Sequence, residues 1–262
     1  LDGSTVGDRA LGWADELARV FDADVAVVRV LPPGEARPNP LSWELSRQSA
    51  QRHMMEAVAD FGNSVPVATA LVEGEPAQEV IDAVHRLGAD LIVLSAQGAG
   101  SGSGCNVGRT AHNILQRAGA SVLLLPEKAT DCRPPQRILV PLDGSRRAEC
   151  VLPLAITLAR ASRAEVVLAY AAAVPELVSS SRRGRERDLV EEVASHNMVA
   201  AAARLAEVSR TLRLTGVRSR AILQTCARPY AALREIALTE RVDLVLLSAH
   251  GAGVDAARSY GS

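Results

Sequence analysis

The sequence predicts an α/β protein built from two copies of one doubly wound, parallel-sheet domain, and three observations carry that prediction. The apolar run Asp243-Leu244-Val245-Leu246-Leu247-Ser248 enters a loop at Ala249-His250-Gly251, and Asp90-Leu91-Ile92-Val93-Leu94-Ser95-Ala96-Gln97-Gly98 repeats it at an offset of 153. In each, nine residues separate that glycine from a second one, Gly261 or Gly108. A second pair of markers agrees: Leu1-Asp2-Gly3-Ser4 recurs as Leu142-Asp143-Gly144-Ser145 at an offset of 141, each copy opening an amphipathic helical pattern. A short apolar run between loop residues suits a strand covered by helices on both faces, and ligands of such sheets bind beyond the carboxyl ends of the strands. The two glycine loops are therefore where function is expected.

In copy one, spanning 1–127, Ala10, Trp13, Ala14, Leu17 and Phe21 recur at helical spacing, and Trp13 reads as core. A strand over Asp24–Val30 ends before Pro32-Pro33, and a long helix over about Leu41–Phe61 leads to a strand at Val65–Val72. Pro76 suits the first turn of the next helix, which delivers the chain to the Asp90 strand. Beyond the glycine loop, Ala111, Ile114, Leu115 and Ala118 mark a short helix, and Ser121–Leu125 a final strand.

The polar stretch Glu127–Gln136, with Pro134-Pro135, reads as a linker short enough to hold two domains as an intramolecular pair. Copy two, 137–262, repeats the order: strand Ile138–Leu142, helix Ala148–Ala161, strand Glu165–Tyr170, helix Arg185–Leu212, strand Val217–Gln224, helix Pro229–Arg241 and strand Asp243–Ser248. Its extra length falls around Val174–Asp188, where Ser179-Ser180-Ser181-Arg182-Arg183 reads as a solvated basic loop. The first strand of copy one and the last helix and strand of copy two are expected to lie outside these 262 residues.

A net charge of -1 argues against a polyanion partner such as nucleic acid, and no apolar run reaches the length of a membrane span, so a cytoplasmic location is expected. Cys105, Cys132, Cys150 and Cys226 form no Cys-x-x-Cys pair, and the histidines form no ligand-spaced cluster, so no intrinsic metal site is indicated. The loop spacing suits neither a Rossmann dinucleotide fingerprint nor a Walker P-loop.

Taken together, the strand with its turn, Val140-Pro141-Leu142-Asp143-Gly144-Ser145, the Asp-Leu-Val-Leu-Leu-Ser strand and a loop similar to Gly-x-x-Gly-x9-Gly-Ser/Thr, with Ser248 and Ser95 standing at its first glycine, resemble the universal stress protein family, twice in one chain. The resemblance implies five-stranded parallel sheets in the order 3-2-1-4-5 and an assembly that is the intramolecular pair or a homodimer. It also implies an adenine-nucleotide ligand, ATP with or without Mg, in a stress-response regulator. The implied binding residues in copy two are Asp143, Tyr170, Ser248, His250, Gly251, Gly261 and Ser262. Those in copy one are Asp2, Val30, Ser95, Gly98, Gly108 and Arg109. Glycines let backbone N–H groups approach an anion, and a helix amino terminus behind them adds a favourable dipole.

Copy two keeps the glycine-glycine-serine frame, whereas copy one carries Arg109 at the hydroxyl position, where it either pairs with phosphate or fills the site by pairing with Asp2. The alternative function is an interaction or dimerisation module of the same fold that binds no nucleotide. An enzymatic reading finds no cluster of base, nucleophile and metal to carry it; slow ATP hydrolysis is the most it would allow.

Overall fold

A computed structural model describes residues 1–31, 33, 40–59, 65–98, 107–127, 132–173 and 184–249. The chain forms two compact units, Leu1–Arg133 and Pro134–Ser262, whose boundary falls within the proline-containing linker. Both are α/β with parallel strands only among the described residues.

Unit 1 opens with α1 (Thr5–Phe21), whose N-cap Ser4 accepts the Gly7 N–H on its hydroxyl oxygen. Strand β1 (Val25–Leu31) follows, then α2 (Pro40–Ala59), β2 (Val67–Glu73) and α3 (Pro76–Leu87). Pro76 does stand in the first turn of α3, Glu75 caps it by accepting the Gln78 N–H, and Gly88 ends it in the left-handed conformation. Strand β3 (Leu91–Ser95), α4 (Arg109–Arg117) and β4 (Ser121–Leu125) complete the unit. β1 pairs with β2 and β3 with β4, as two separate two-stranded sheets. Ala77, Val84, Ile92 and Ile114 form a core in which α3 and α4 cover β3.

Unit 2 contains β5 (Arg137–Pro141), α5 (Leu152–Ser162), β6 (Glu165–Ala173), α6 (Gly184–Leu214), β7 (Arg218–Cys226), α7 (Pro229–Thr239) and β8 (Leu244–Val245). Its strands form one sheet in the order β7-β6-β5-β8. Ile138, Leu139 and Val140 of β5 and Val166 to Ala169 of β6 are fully buried, as expected of central strands covered on both faces. Ser209 of α6, a buried polar residue of this core, shares a 2.8 Å hydrogen bond with Ser219 of β7, so burial leaves neither hydroxyl unsatisfied.

Several element bounds shift by a few residues from the sequence expectation, and two of the differences arise at a proline. The helix expected from Ala148 starts as a 3-10 turn, Ala148–Val151, before α5. Pro153 has no N–H to give the Glu149 carbonyl, which accepts from Leu152 in the tighter pattern instead. The strand expected over Asp243–Ser248 pairs only at Leu244–Val245, with the Leu246 N–H reaching Leu139 O at 2.9 Å. The next rung would need an N–H at position 141, and Pro141 has none.

Candidate functional site

Both Asp-Gly-Ser turns are built the same way. Asp143 Oδ1 accepts the Ser145 N–H at 2.9 Å, and Ser145 Oγ accepts the Ala148 N–H at 3.1 Å. Asp2 Oδ1 accepts the Ser4 N–H at 3.0 Å and its hydroxyl at 2.6 Å, and Ser4 Oγ accepts the Gly7 N–H at 3.0 Å. Gly3 and Gly144 both take the left-handed conformation, at φ 82° and 81°, that lets the chain turn into a helix within four residues.

The equivalence continues at the same offset of 141. Asp22 and Arg163 end the first helices in the left-handed region, and the backbone nitrogens of Leu1 and Leu142 donate to Val28 O and Ala169 O. Tyr170 therefore corresponds to Arg29, and Val30 to Ala171. A Cβ on Gly144 would stand 3.8 Å from Tyr170 Cε2, and one on Gly3 would stand 2.9 Å from Arg29 Nη2. Arg29 is thus a β1 side chain that lies against the copy-one turn; strand alternation turns Val30 to the opposite face. Sequence reasoning missed Arg29, although the constant offset from the turn would have found it.

The first glycine loop meets this turn. A Cβ on Gly98 would lie 3.0 Å from Asp2 Oδ2, and one on Gly108 would lie 3.3 Å from Ala96 O and 3.9 Å from Gly98 N. Ala96 holds the loop's root by donating to Leu125 O at 2.8 Å and accepting the Gly108 N–H at 2.7 Å. Ser95, half-buried, is the last residue of β3. Asp2, Gly98 and Gly108 thus converge, with α4 starting immediately behind them. Gly108, its N-cap, offers no side-chain acceptor to the amide groups of the first turn. Arg109 is exposed at the head of α4. No salt bridge joins it to Asp2 among the described residues, and Asp2 Oδ1 is engaged by Ser4 instead.

In copy two, Asp143 follows β5 and Ser248 follows β8, so adjacent strands bring both beyond their carboxyl ends. Tyr170 and Ser248 are half-buried there. His250, Gly251, Gly261 and Ser262 lie outside the described residues. Behind the turn, Arg204 of α6 grips Glu149 with two nitrogens, Nε on Oε1 at 2.6 Å and Nη2 on Oε2, and reaches Glu207 at 2.5 Å. The hydrogen bonds to Glu149, then Glu207, push the guanidinium pKa further up. Among the described residues no three His, Cys, Asp or Glu side chains are placed to hold a metal ion. No helix among them is long and apolar enough to cross a membrane.

Comparison with known proteins bears on the family and the fold. A universal stress protein of Methanocaldococcus jannaschii is 29% identical over 133 residues, covering 47% of this chain and 77% of its own length. A universal stress protein of Mycobacterium tuberculosis is 26% identical over 169 residues, 55% of this chain; the match spans about half, 52%, of that relative's length. A universal stress protein structure from Archaeoglobus fulgidus superposes with a TM-score of 0.68 over 94% of this chain and 81% of its own, at 13% identity, which speaks for the fold. The universal stress protein family model matches twice, at residues 1–126 and 135–262, and the chain belongs to that family as a tandem of two of its domains.

Proposed function

We propose that the chain is an adenine-nucleotide-binding regulator of the stress response, with copy two as its principal ATP site. One observation carries the reading: the acidic turn, the glycine loop and a helix start without a side-chain cap come together at the carboxyl ends of a parallel sheet, seen most fully where Asp2 meets Gly98 ahead of α4. In copy two the nucleoside end is framed by Asp143 and the Tyr170 ring. The carboxylate can accept from ribose hydroxyls, and the ring offers an apolar face to a base. The phosphate end falls to Ser248, His250, Gly251, Gly261 and Ser262: the glycines permit close backbone approach to an anion, and the two hydroxyls and the imidazole can donate to it. Mg, where it accompanies ATP, would be held by the phosphates and water rather than by a protein cluster.

Calorimetric titration with ATP tests this directly. Asp143→Ala is expected to weaken binding by about tenfold, one lost charge-assisted hydrogen bond, and Gly251→Val to abolish it. Binding unchanged by both substitutions would favour the interaction-module reading instead.

A further inference from the structure

We propose that Arg29 decides what copy one admits: tethered by His53, its guanidinium lies over the Asp2-Gly3 turn and closes the nucleoside end of that copy. The two halves then differ in kind, and a purine finds one site per chain, in copy two. The inference rests on the nucleotide reading above and adds to it a residue that reading does not use.

Three guanidinium atoms lie close to the Cβ position of Gly3: Nη2 at 2.9 Å, Cζ at 3.5 Å and Nη1 at 3.6 Å. A flat cation is spread over the turn where copy two presents only one edge atom of Tyr170, at 3.8 Å. Arg29 is also held in place. Its Nη1 lies 3.1 Å from His53 Nδ1. A guanidinium can only donate, so Nδ1 is the acceptor and the imidazole proton resides on Nε2. Nε2 faces Asp8 Oδ1 at 3.5 Å, and that oxygen is shut off from solvent with no hydrogen bond of its own. A line of groups, Asp8 on α1, His53 on α2 and Arg29 on β1, therefore links an under-satisfied carboxylate to the turn. Withdrawing Arg29 would remove the cation at the end of that line and leave His53 Nδ1 without its donor.

Copy two shows why Tyr170 needs no such partner. At the offset of 141, Asp8 corresponds to Glu149, and Glu149 is met directly by Arg204 of the long helix α6. There the long helix supplies the cation itself. In copy one it supplies a neutral imidazole, and the cation comes from the strand, at the position that would otherwise face the ligand.

Calorimetry with ATP on the whole chain tests this by stoichiometry. The wild type is expected to bind one ATP, Arg29→Val two, Tyr170→Arg none, and the double variant one. His53→Ala, which frees Arg29 without removing it, is expected to reveal a weak second site, and circular dichroism confirms that each variant is folded. Two sites in the wild type, or no added site in folded Arg29→Val, overturns the inference while leaving the nucleotide reading of copy two standing. No site in the wild type but one in Arg29→Val supports the inference and overturns that reading. No binding by any of the proteins overturns both.

Discussion

Asp2 Oδ2 stands 3.0 Å from the place a Cβ on Gly98 would occupy, so the acidic turn and the glycine loop of copy one touch through a position that admits no side chain without movement. Because Asp2 Oδ1 is already held by Ser4, the carboxylate cannot simply swing aside. Gly98→Ala is expected to cost unit 1 about 0.5–1 kcal/mol in denaturant unfolding, and the same change in an Asp2→Ala background to cost less. Equal costs in the two backgrounds would show that the pair does not interact.

Gly3 and Gly144 allow a second comparison. Alanine at either must take a left-handed φ, an expense of about 1 kcal/mol. Only Gly3→Ala also meets a guanidinium at 2.9 Å, against 3.8 Å to Tyr170 for Gly144→Ala. Because the atom met is the far end of a side chain, Gly3→Ala is expected to be the more destabilising by no more than about 1 kcal/mol, and Arg29→Ala to erase the difference. Chemical unfolding of the four variants decides it, with identical losses at both glycines counting against the placement of Arg29.

Arg204 and Glu149 fasten α6 to the turn that carries Asp143. The arginine is well exposed, so screening limits the pair, and Glu149→Gln is expected to lower the stability of unit 2 by about 1 kcal/mol. Arg204→Lys should lose most of that, because an ammonium cannot reproduce the two-pronged grip. A lysine variant as stable as wild type in thermal unfolding would contradict this.

Burial, with Glu16 and Asp15 adding to it, raises the Cys132 thiol from 9.0 to about 11. The thiol form is therefore favoured in the folded state; its contribution to stability is whole below pH 9 and is lost as pH rises through about 11. At pH 8, Cys132 is expected to alkylate with iodoacetamide about tenfold or more slowly than the exposed Cys150, as read by peptide mass spectrometry. Comparable rates at the two thiols would refute the shift.

The repeat, the parallel strands and the converging turn were legible because apolar runs, helical spacing and Asp-Gly-Ser signals each repeat at a fixed offset. What escaped was set by tertiary partners. Arg29 sits in a strand otherwise made of Val, Ala and Leu, and nothing local says that it lies over Gly3 or that His53, on the next helix, holds it. Arg109 drew attention as the charge at a motif position, yet it stands exposed while Asp2 binds its own turn. The shortened β8 and the 3-10 start before α5 were in principle readable from Pro141 and Pro153. Each acts by withholding one N–H from a particular partner, and that partner is known only once register is known.

The place of β5 between β6 and β8 also bears on how unit 2 is made. Ile138 pairs with Val166 on one side and Leu244 on the other, and Leu244 lies roughly 100 residues further along the chain. At a synthesis rate of about 5–20 residues per second that interval lasts about 5–20 s. During it β6 and then β7 can already add to one edge of β5, while its other edge, apolar and hydrogen-bond-hungry, waits for β8. The nascent chain is therefore exposed longest at a strand whose centre the finished unit buries completely, an edge that only the late arrival of β8 covers.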